Sequence, residues 1–229
     1  STLEDFLTWA NTNYPADRKM LVLWNHGGGV MGYGLDELND PATGIGILSV
    51  ADNATSLKNS NSRFDLIDFD ACLMQTLEVA YCLEPYTDYL LGSEETEPGL
   101  GQYYTLPFGQ LAKDPTLSTI DFAQMMCSCY DQYLAESTEG SSNASTTLSL
   151  IETRRIPALC DALYGWIQKN MDVFTLDKDA MLAFLKANGE ASHFGATDHI
   201  DLIDFINNCD MEQADKNTQY HGNSHHDRS

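Results

Sequence analysis

The sequence predicts an α/β fold, a mainly parallel sheet with helices packed on its faces. Three observations carry that reading. Short apolar runs at residues 19–24, 64–69 and 88–91 have strand length. Helical patterns separate them. The first and third runs lead into loops rich in glycine and polar residues, and the second runs through Asp70-Ala71-Cys72 into a helical pattern.

Residues 3–12 place apolar side chains at helical spacing and stop before Asn13-Tyr14-Pro15, so a short helix opens the chain. Strand one follows at 19–24, and then a loop from 27 to 46, far longer than a strand-to-helix connection needs. Ser49, with Asp52 three residues on, is a cap for a helix over 49–57. Strand two covers 64–69, and a helical pattern opens at Leu73 and ends near Pro85. Strand three, 88–91, leads into the loop 92–101. A long helix is expected over 117–135, a breaker stretch over 137–145 and a fourth strand over 146–151. Helices at 156–170, 177–188 and 201–207 complete the ordered chain. Residues 215–229 form a polar tail, in which His221, His225 and His226 read as solvated side chains and not as a metal site.

The 229 residues are 43% hydrophobic, enough for a sizeable core. Against 12 basic residues stand 34 acidic ones, a formal net charge of −22. Such a field repels phosphate backbones and anionic lipid, so nucleic acid is excluded as a partner and basic substrates are attracted. No apolar run is long enough to span a membrane. The first residues, Ser1-Thr2-Leu3-Glu4-Asp5, lack the features of a signal peptide, which says little about location because such segments are removed on maturation. The six cysteines (72, 82, 127, 129, 160, 209) have no zinc-ribbon spacing and read as buried small hydrophobes.

The chemistry is concentrated at two strand ends. Strand one ends in Asn25-His26-Gly27-Gly28-Gly29, and strand two in Asp70-Ala71-Cys72. Residues at the carboxyl ends of strands in one α/β sheet converge on a crevice, where such sheets place their ligands. Singly, His26 reads as a structural histidine in a turn and Cys72 as a core cysteine. Together they supply what thiol-dependent amide hydrolysis needs: a nucleophile at Cys72, an acid/base at His26, and the Gly27 amide as a donor to the oxyanion. A helix starting directly after Cys72 would favour its thiolate through the helix dipole, and Asp70 would then be the N-cap of that helix.

Leu23-Trp24-Asn25-His26-Gly27-Gly28-Gly29, Phe69-Asp70-Ala71-Cys72-Leu73-Met74, Ser93-Glu94-Glu95 with Pro98-Gly99 and Gly101, and Ile200-Asp201-Leu202 together resemble the clostripain family of cysteine peptidases, in the wider group of caspases, legumain and gingipains. The resemblance implies a caspase-like α/β/α sandwich, with residues 1–214 as one peptidase domain, a core shorter than is common in the family. It implies a cysteine endopeptidase with a His26/Cys72 dyad, the amides of Gly27 and Cys72 at the oxyanion, and Asp70 in the pocket for an Arg or Lys before the cut. Protein or peptide substrates, a monomer and a secreted or cell-surface bacterial setting follow from the same likeness.

The chemistry itself requires no cofactor. Calcium is a family-level expectation, with Asp36, Glu37 and Asp40 as candidate oxygen donors and a solvated loop as the simpler reading. Two departures stand out. Gln102 takes the place of the family's usual tryptophan, and the interval between His26 and Cys72 contains only Lys58 and Arg63 as basic sites for maturation cleavage.

Two other readings compete. His26-Gly27-Gly28-Gly29 matches the oxyanion loop of α/β-hydrolase esterases, but the chain has no Gly-x-Ser-x-Gly elbow. A peptidase fold that binds peptides without cutting them is the other alternative.

Overall fold

A computed structural model describes residues 1–36, 46–136, 146–170, 178–195 and 198–209. The chain forms two compact units, Ser1–Ile156 and Pro157–Ser229. The expected polar tail at 215–229 lies outside the described residues.

The first unit is built on a four-stranded sheet in the order β1-β2-β3-β4, with β1 Met20–Trp24, β2 Phe64–Asp70, β3 Thr87–Gly92 and β4 Ser149–Glu152. The first three strands are parallel, as expected, and β4 is antiparallel to β3. Around the sheet run α1 Thr2–Asn13, α2 Val50–Asn59, α3 Leu77–Leu83, α4 Thr105–Lys113 and α5 Thr119–Glu136. Ser49 caps α2 as the sequence suggests, accepting from the Asp52 N–H at 3.1 Å.

Strand alternation sorts the residues into two faces. Leu21, Leu23, Ile67, Phe69 and Leu90 point one way and are buried. Met20, Val22, Trp24, Leu66, Asp68, Asp70, Tyr89 and Leu91 share the other face by register. On that second face Leu66 and Leu91 pack against Phe122, Ala123 and Met126 of α5. Burying this apolar area is the main source of the sheet's stability. The alternation also carries Asp68 and Asp70 to the α5 side, so a strand that had to be apolar there brings two carboxyls beneath a helix.

Helix α4 has no counterpart among the elements expected from the sequence, which place nothing between the loop 92–101 and the helix at 117. Pro107 sits in the first turn, whose N–H groups have no intrahelical acceptor, so the ring is tolerated there.

The second unit contains most of α6 Ile156–Lys169, then α7 Lys178–Glu190 and α8 Leu202–Asn208. Ala187, Ala191, Phe205 and Cys209 form its core with Trp166 and Phe184, and the Phe184 and Phe205 rings meet edge-on at 5.0 Å. Asp201 caps α8, its carboxylate accepting from the Asp204 N–H at 2.8 Å. No described helix is long and apolar enough to cross a membrane.

Candidate active site

Trp24 lies opposite Asp70 in the β1/β2 register, so the two motifs leave the sheet side by side. The Asn25 N–H donates to the Asp70 carbonyl at 3.4 Å. Beyond it the Asn25 side chain organises the turn, its Oδ1 accepting from the N–H of His26 at 2.6 Å and of Leu35 at 3.0 Å. The loop folds back as an isolated antiparallel bridge between Gly27 and Tyr33, closed by Gly34 N–H to His26 O and Gly28 N–H to Gly32 O, both 2.9 Å. The Gly27 N–H takes no part in that bridge. His26 is exposed on the turn, and no described residue hydrogen-bonds its ring.

Gly27 is held against the second motif. A Cβ at Gly27 would lie 2.2 Å from the Cys72 carbonyl oxygen and 2.8 Å from Met74 Cγ, so only glycine fits. The structure thus brings the His26 turn and the Cys72 turn into backbone contact.

At Cys72 the local structure departs from expectation. Helix α3 begins at Leu77, capped by Thr76, whose hydroxyl accepts from the Val79 N–H at 3.2 Å. Between Asp70 and that cap the chain is extended and irregular, with Leu73 at φ 64. The Leu73 N–H donates to the Glu95 carbonyl at 3.1 Å and the Gln75 N–H to the Ser93 carbonyl at 3.0 Å. Cys72 is therefore not at a helix N-terminus, and Asp70 caps no helix. The polar contact to the sulfur comes from the third loop, where the Glu97 N–H donates to Cys72 Sγ at 3.2 Å. The thiol is half-buried.

Asp70 is only 3% exposed. Its carboxylate accepts the Gln102 N–H at 3.2 Å and the Tyr104 hydroxyl at 2.6 Å. Gly101, at φ 68, allows this approach, since a Cβ there would sit 2.9 Å from Asp70 Oδ2. Asp70 forms the polar end of a cleft of about 450 Å³, whose other walls are Val22, Trp24, Leu100, Gln102, Tyr104 and Phe108. Apolar walls ending in one carboxylate suit a long side chain with an aliphatic stem and a cationic head. Gln102 borders this cleft, but its side-chain amide turns inward, donating to Asp68 Oδ1 at 3.1 Å and to the Phe69 carbonyl at 3.2 Å. Trp24, 69% exposed, is one of three aromatic walls, with Tyr104 and Phe108.

Behind Asp70 lie two further acids that the sequence reading did not single out. Asp68 is fully buried, and burial pushes its carboxyl up to about 8. Glu97 is pushed up to about 9, by burial first and by the neighbouring Asp70 second. Burial and the Asp70 charge also raise Tyr33 to about 12. The signal for Asp68 was present in Leu66-Ile67-Asp68-Phe69-Asp70, where period-2 alternation puts both acids on one face. Glu97 and Tyr104 carried no such signal, because loop residues lack a period.

Glu37 and Asp40, two of the three calcium candidates, lie outside the described residues. Among the described residues no three His, Cys, Asp or Glu side chains are grouped to hold a metal ion. All six cysteines are free thiols, but only Cys209 is buried; Cys82 is exposed, which corrects the expectation that all six are core residues. Arg63 pairs with Asp88 at 2.8 Å on the surface, and Lys58 lies in the last turn of α2.

A family model described as the clostripain family matches residues 1–225. Clostripain from Hathewaya histolytica is 32% identical over 124 residues, covering 48% of this chain and 23% of that protein. A secreted C11 cysteine protease from Bacteroides thetaiotaomicron, solved with an irreversible peptide inhibitor, superposes with a TM-score of 0.65 at 23% identity, over 90% of this chain and 55% of that one. An inactive zymogen C11 protease from Parabacteroides distasonis gives 0.62 at 22% identity, over 92% and 55%. At these identities the two structures show the fold, which is the caspase-like α/β/α sandwich expected from the sequence. The chain spans about half the length of these solved relatives and under a quarter of the curated one.

Proposed function

Because the chain belongs to the clostripain family, we propose that it is a cysteine endopeptidase cutting after Arg or Lys, with Cys72 as nucleophile and His26 as general acid and base. In this reading His26 takes the thiol proton and Cys72 Sγ attacks the scissile carbonyl. The N–H groups of Gly27 and Cys72 donate to the oxyanion, and His26 returns the proton to the departing amine. Water, deprotonated by His26, then hydrolyses the thioester.

The observation that carries the proposal is the contact between Gly27 and the Cys72 carbonyl, where a Cβ would lie at 2.2 Å. It holds the two motifs at one edge of the sheet. The basic preference rests on Asp70, a buried carboxylate lining a cleft whose other walls are mainly apolar and aromatic. A bacterial, secreted setting is part of the proposal and is supported by the secreted relative from B. thetaiotaomicron.

The test is turnover of fluorogenic peptide amides bearing Arg, Lys or a neutral residue before the bond, under reducing conditions, with and without calcium, and with Cys72→Ala as control. Release from Arg or Lys amides that vanishes in Cys72→Ala supports the reading. Binding of the peptides without turnover by the wild-type chain makes it a peptide-binding module instead.

Asp70→Asn separates the pocket from the chemistry. Cleavage after Arg should fall about a hundredfold or more, the loss expected when a buried charge partner disappears. Alkylation of Cys72 by iodoacetamide should stay near the wild-type rate, and equal losses in both would make Asp70 a structural residue.

A further inference from the structure

Three acidic side chains beside the cleft act on one another. Asp68 and Asp70 come from β2, and Glu97 from the third loop. Asp70 has its donors in Gln102 N–H and Tyr104 O–H. Glu97 has none: both its carboxyl oxygens are buried without a hydrogen-bond partner among the described residues. Fully buried Asp68 likewise leaves its Oδ2 without a partner among the described residues, and the nearly buried Gln102 leaves its Oε1 without one. The groups acting on Glu97 are Asp70, Asp68 and Gln102, and Glu97 in turn acts on Tyr104 and on Tyr130 of α5. No Lys or Arg is among them. The Glu97 backbone adds one further neighbour, the Cys72 sulfur.

We propose that Glu97 makes recognition of the basic side chain proton-coupled: it holds a proton while the cleft is empty, donates it as a hydrogen bond to Asp70, and releases it when a guanidinium or ammonium group docks on Asp70. The proposal rests on the basic specificity put forward above.

Carboxyls this close in a dry site cannot all ionise, and the one without donors keeps the proton. Asp70 has two donors for its oxygens, and Glu97 has none among the described residues. The raised proton affinity of Glu97, to about 9, agrees with that arrangement. When a cation arrives, its charge stabilises a second carboxylate. The Glu97 O–H bond then breaks, its electron pair stays on Glu97, and the proton passes to solvent. The bound state holds two carboxylates with one cation. Glu97 is not among the residues lining the cleft, so it acts through Asp70 as a positioning residue. Binding should tighten as the pH rises from 7 toward 9, because release of a proton is favoured there.

The test uses the Cys72→Ala chain, which binds without turnover, and a peptide ending in Arg. Titration calorimetry at pH 8 in phosphate and in Tris, whose ionisation heats differ, counts the protons released. About one proton per peptide is expected, falling to near zero in Cys72→Ala/Glu97→Gln and returning in Cys72→Ala/Glu97→Asp. If the Gln variant fails to fold, the count on Cys72→Ala alone decides. Arg-dependent binding with no proton release, or release undiminished in the Gln variant, overturns the role of Glu97 and leaves basic specificity standing. Absence of any preference for the Arg peptide over its neutral counterpart overturns both.

Discussion

The Tyr104 hydroxyl donates to the Asp70 carboxylate at 2.6 Å, bridging the residue just before α4 to the end of β2. Burial and the hydrogen bond to Asp70 both raise the phenol's proton affinity, so it serves Asp70 as a permanent donor. Tyr104→Phe removes that donor and leaves the ring. We expect kcat/KM for Arg amides to fall about tenfold, mostly through KM, the loss of one hydrogen bond to a charged group. Alkylation of Cys72 should be unchanged. A loss confined to kcat would place Tyr104 in the chemistry and not in the pocket.

Gly27→Ala forces a methyl to 2.2 Å from the Cys72 carbonyl oxygen, which is backbone and cannot swing aside. The variant should lose turnover by about a hundredfold or more and melt at a lower temperature than wild type. Gly28→Ala is the control, since its nearest contact outside the adjoining residues is Met31 Cβ at 3.4 Å. Equal behaviour of the two would show that the close approach is unimportant.

His26 is exposed and its ring takes part in no hydrogen bond among the described residues, so its removal costs the fold little. His26→Ala should abolish turnover while its melting temperature stays within a few degrees of wild type, about the spread of a neutral surface change. Near-normal turnover would sink the dyad.

Stability should depend on pH through Asp68 and Glu97. Their carboxyls titrate at about 8 and about 9 in the folded chain, against ordinary values of 3.8 and 4.5. The folded state therefore holds these protons more tightly than the unfolded one. That contribution is fully present below the ordinary values and is lost as the pH rises through the folded ones. Each group lowers stability by at most about 1.4 kcal/mol per pH unit in that window. Thermal melts from pH 5 to pH 9 should show a falling midpoint, and the slope should flatten in Asp68→Asn. An unaltered slope would mean that Asp68 ionises freely.

Self-cleavage between the two motifs should be absent or slow. Arg63 is held by Asp88 at 2.8 Å immediately before β2, and Lys58 is in a helix, whereas peptidases act on extended backbone. Intact-mass analysis after prolonged incubation should show no cut after either residue. A clean cut at Lys58 would mean that the end of α2 opens readily.

Much of the site was legible in the chain because strands announce themselves. Leu21-Val22-Leu23-Trp24 and Leu66-Ile67-Asp68-Phe69 have the length and apolar density of buried strands, and the motifs follow directly. The turn after Cys72 was not legible. Leu73 to Val79 has a helical pattern, yet Leu73 is in the left-handed region and α3 waits for the Thr76 cap. Hydrogen bonds from Leu73 and Gln75 to the third loop hold that segment open, and a local pattern carries no record of them.

The sequence by itself determined the α/β class, the two strand-end motifs and the family likeness, because each depends on residue type and short-range spacing. Tertiary structure alone decided that Gln102 turns inward onto Asp68, that Tyr104 meets Asp70, that α5 packs over Leu66 and Leu91, and that the Glu97 amide reaches the Cys72 sulfur. These are contacts between segments about 25 or more residues apart, and their energies depend on desolvation. How dry a carboxyl becomes is set by what packs around it, which no run of neighbouring residues specifies.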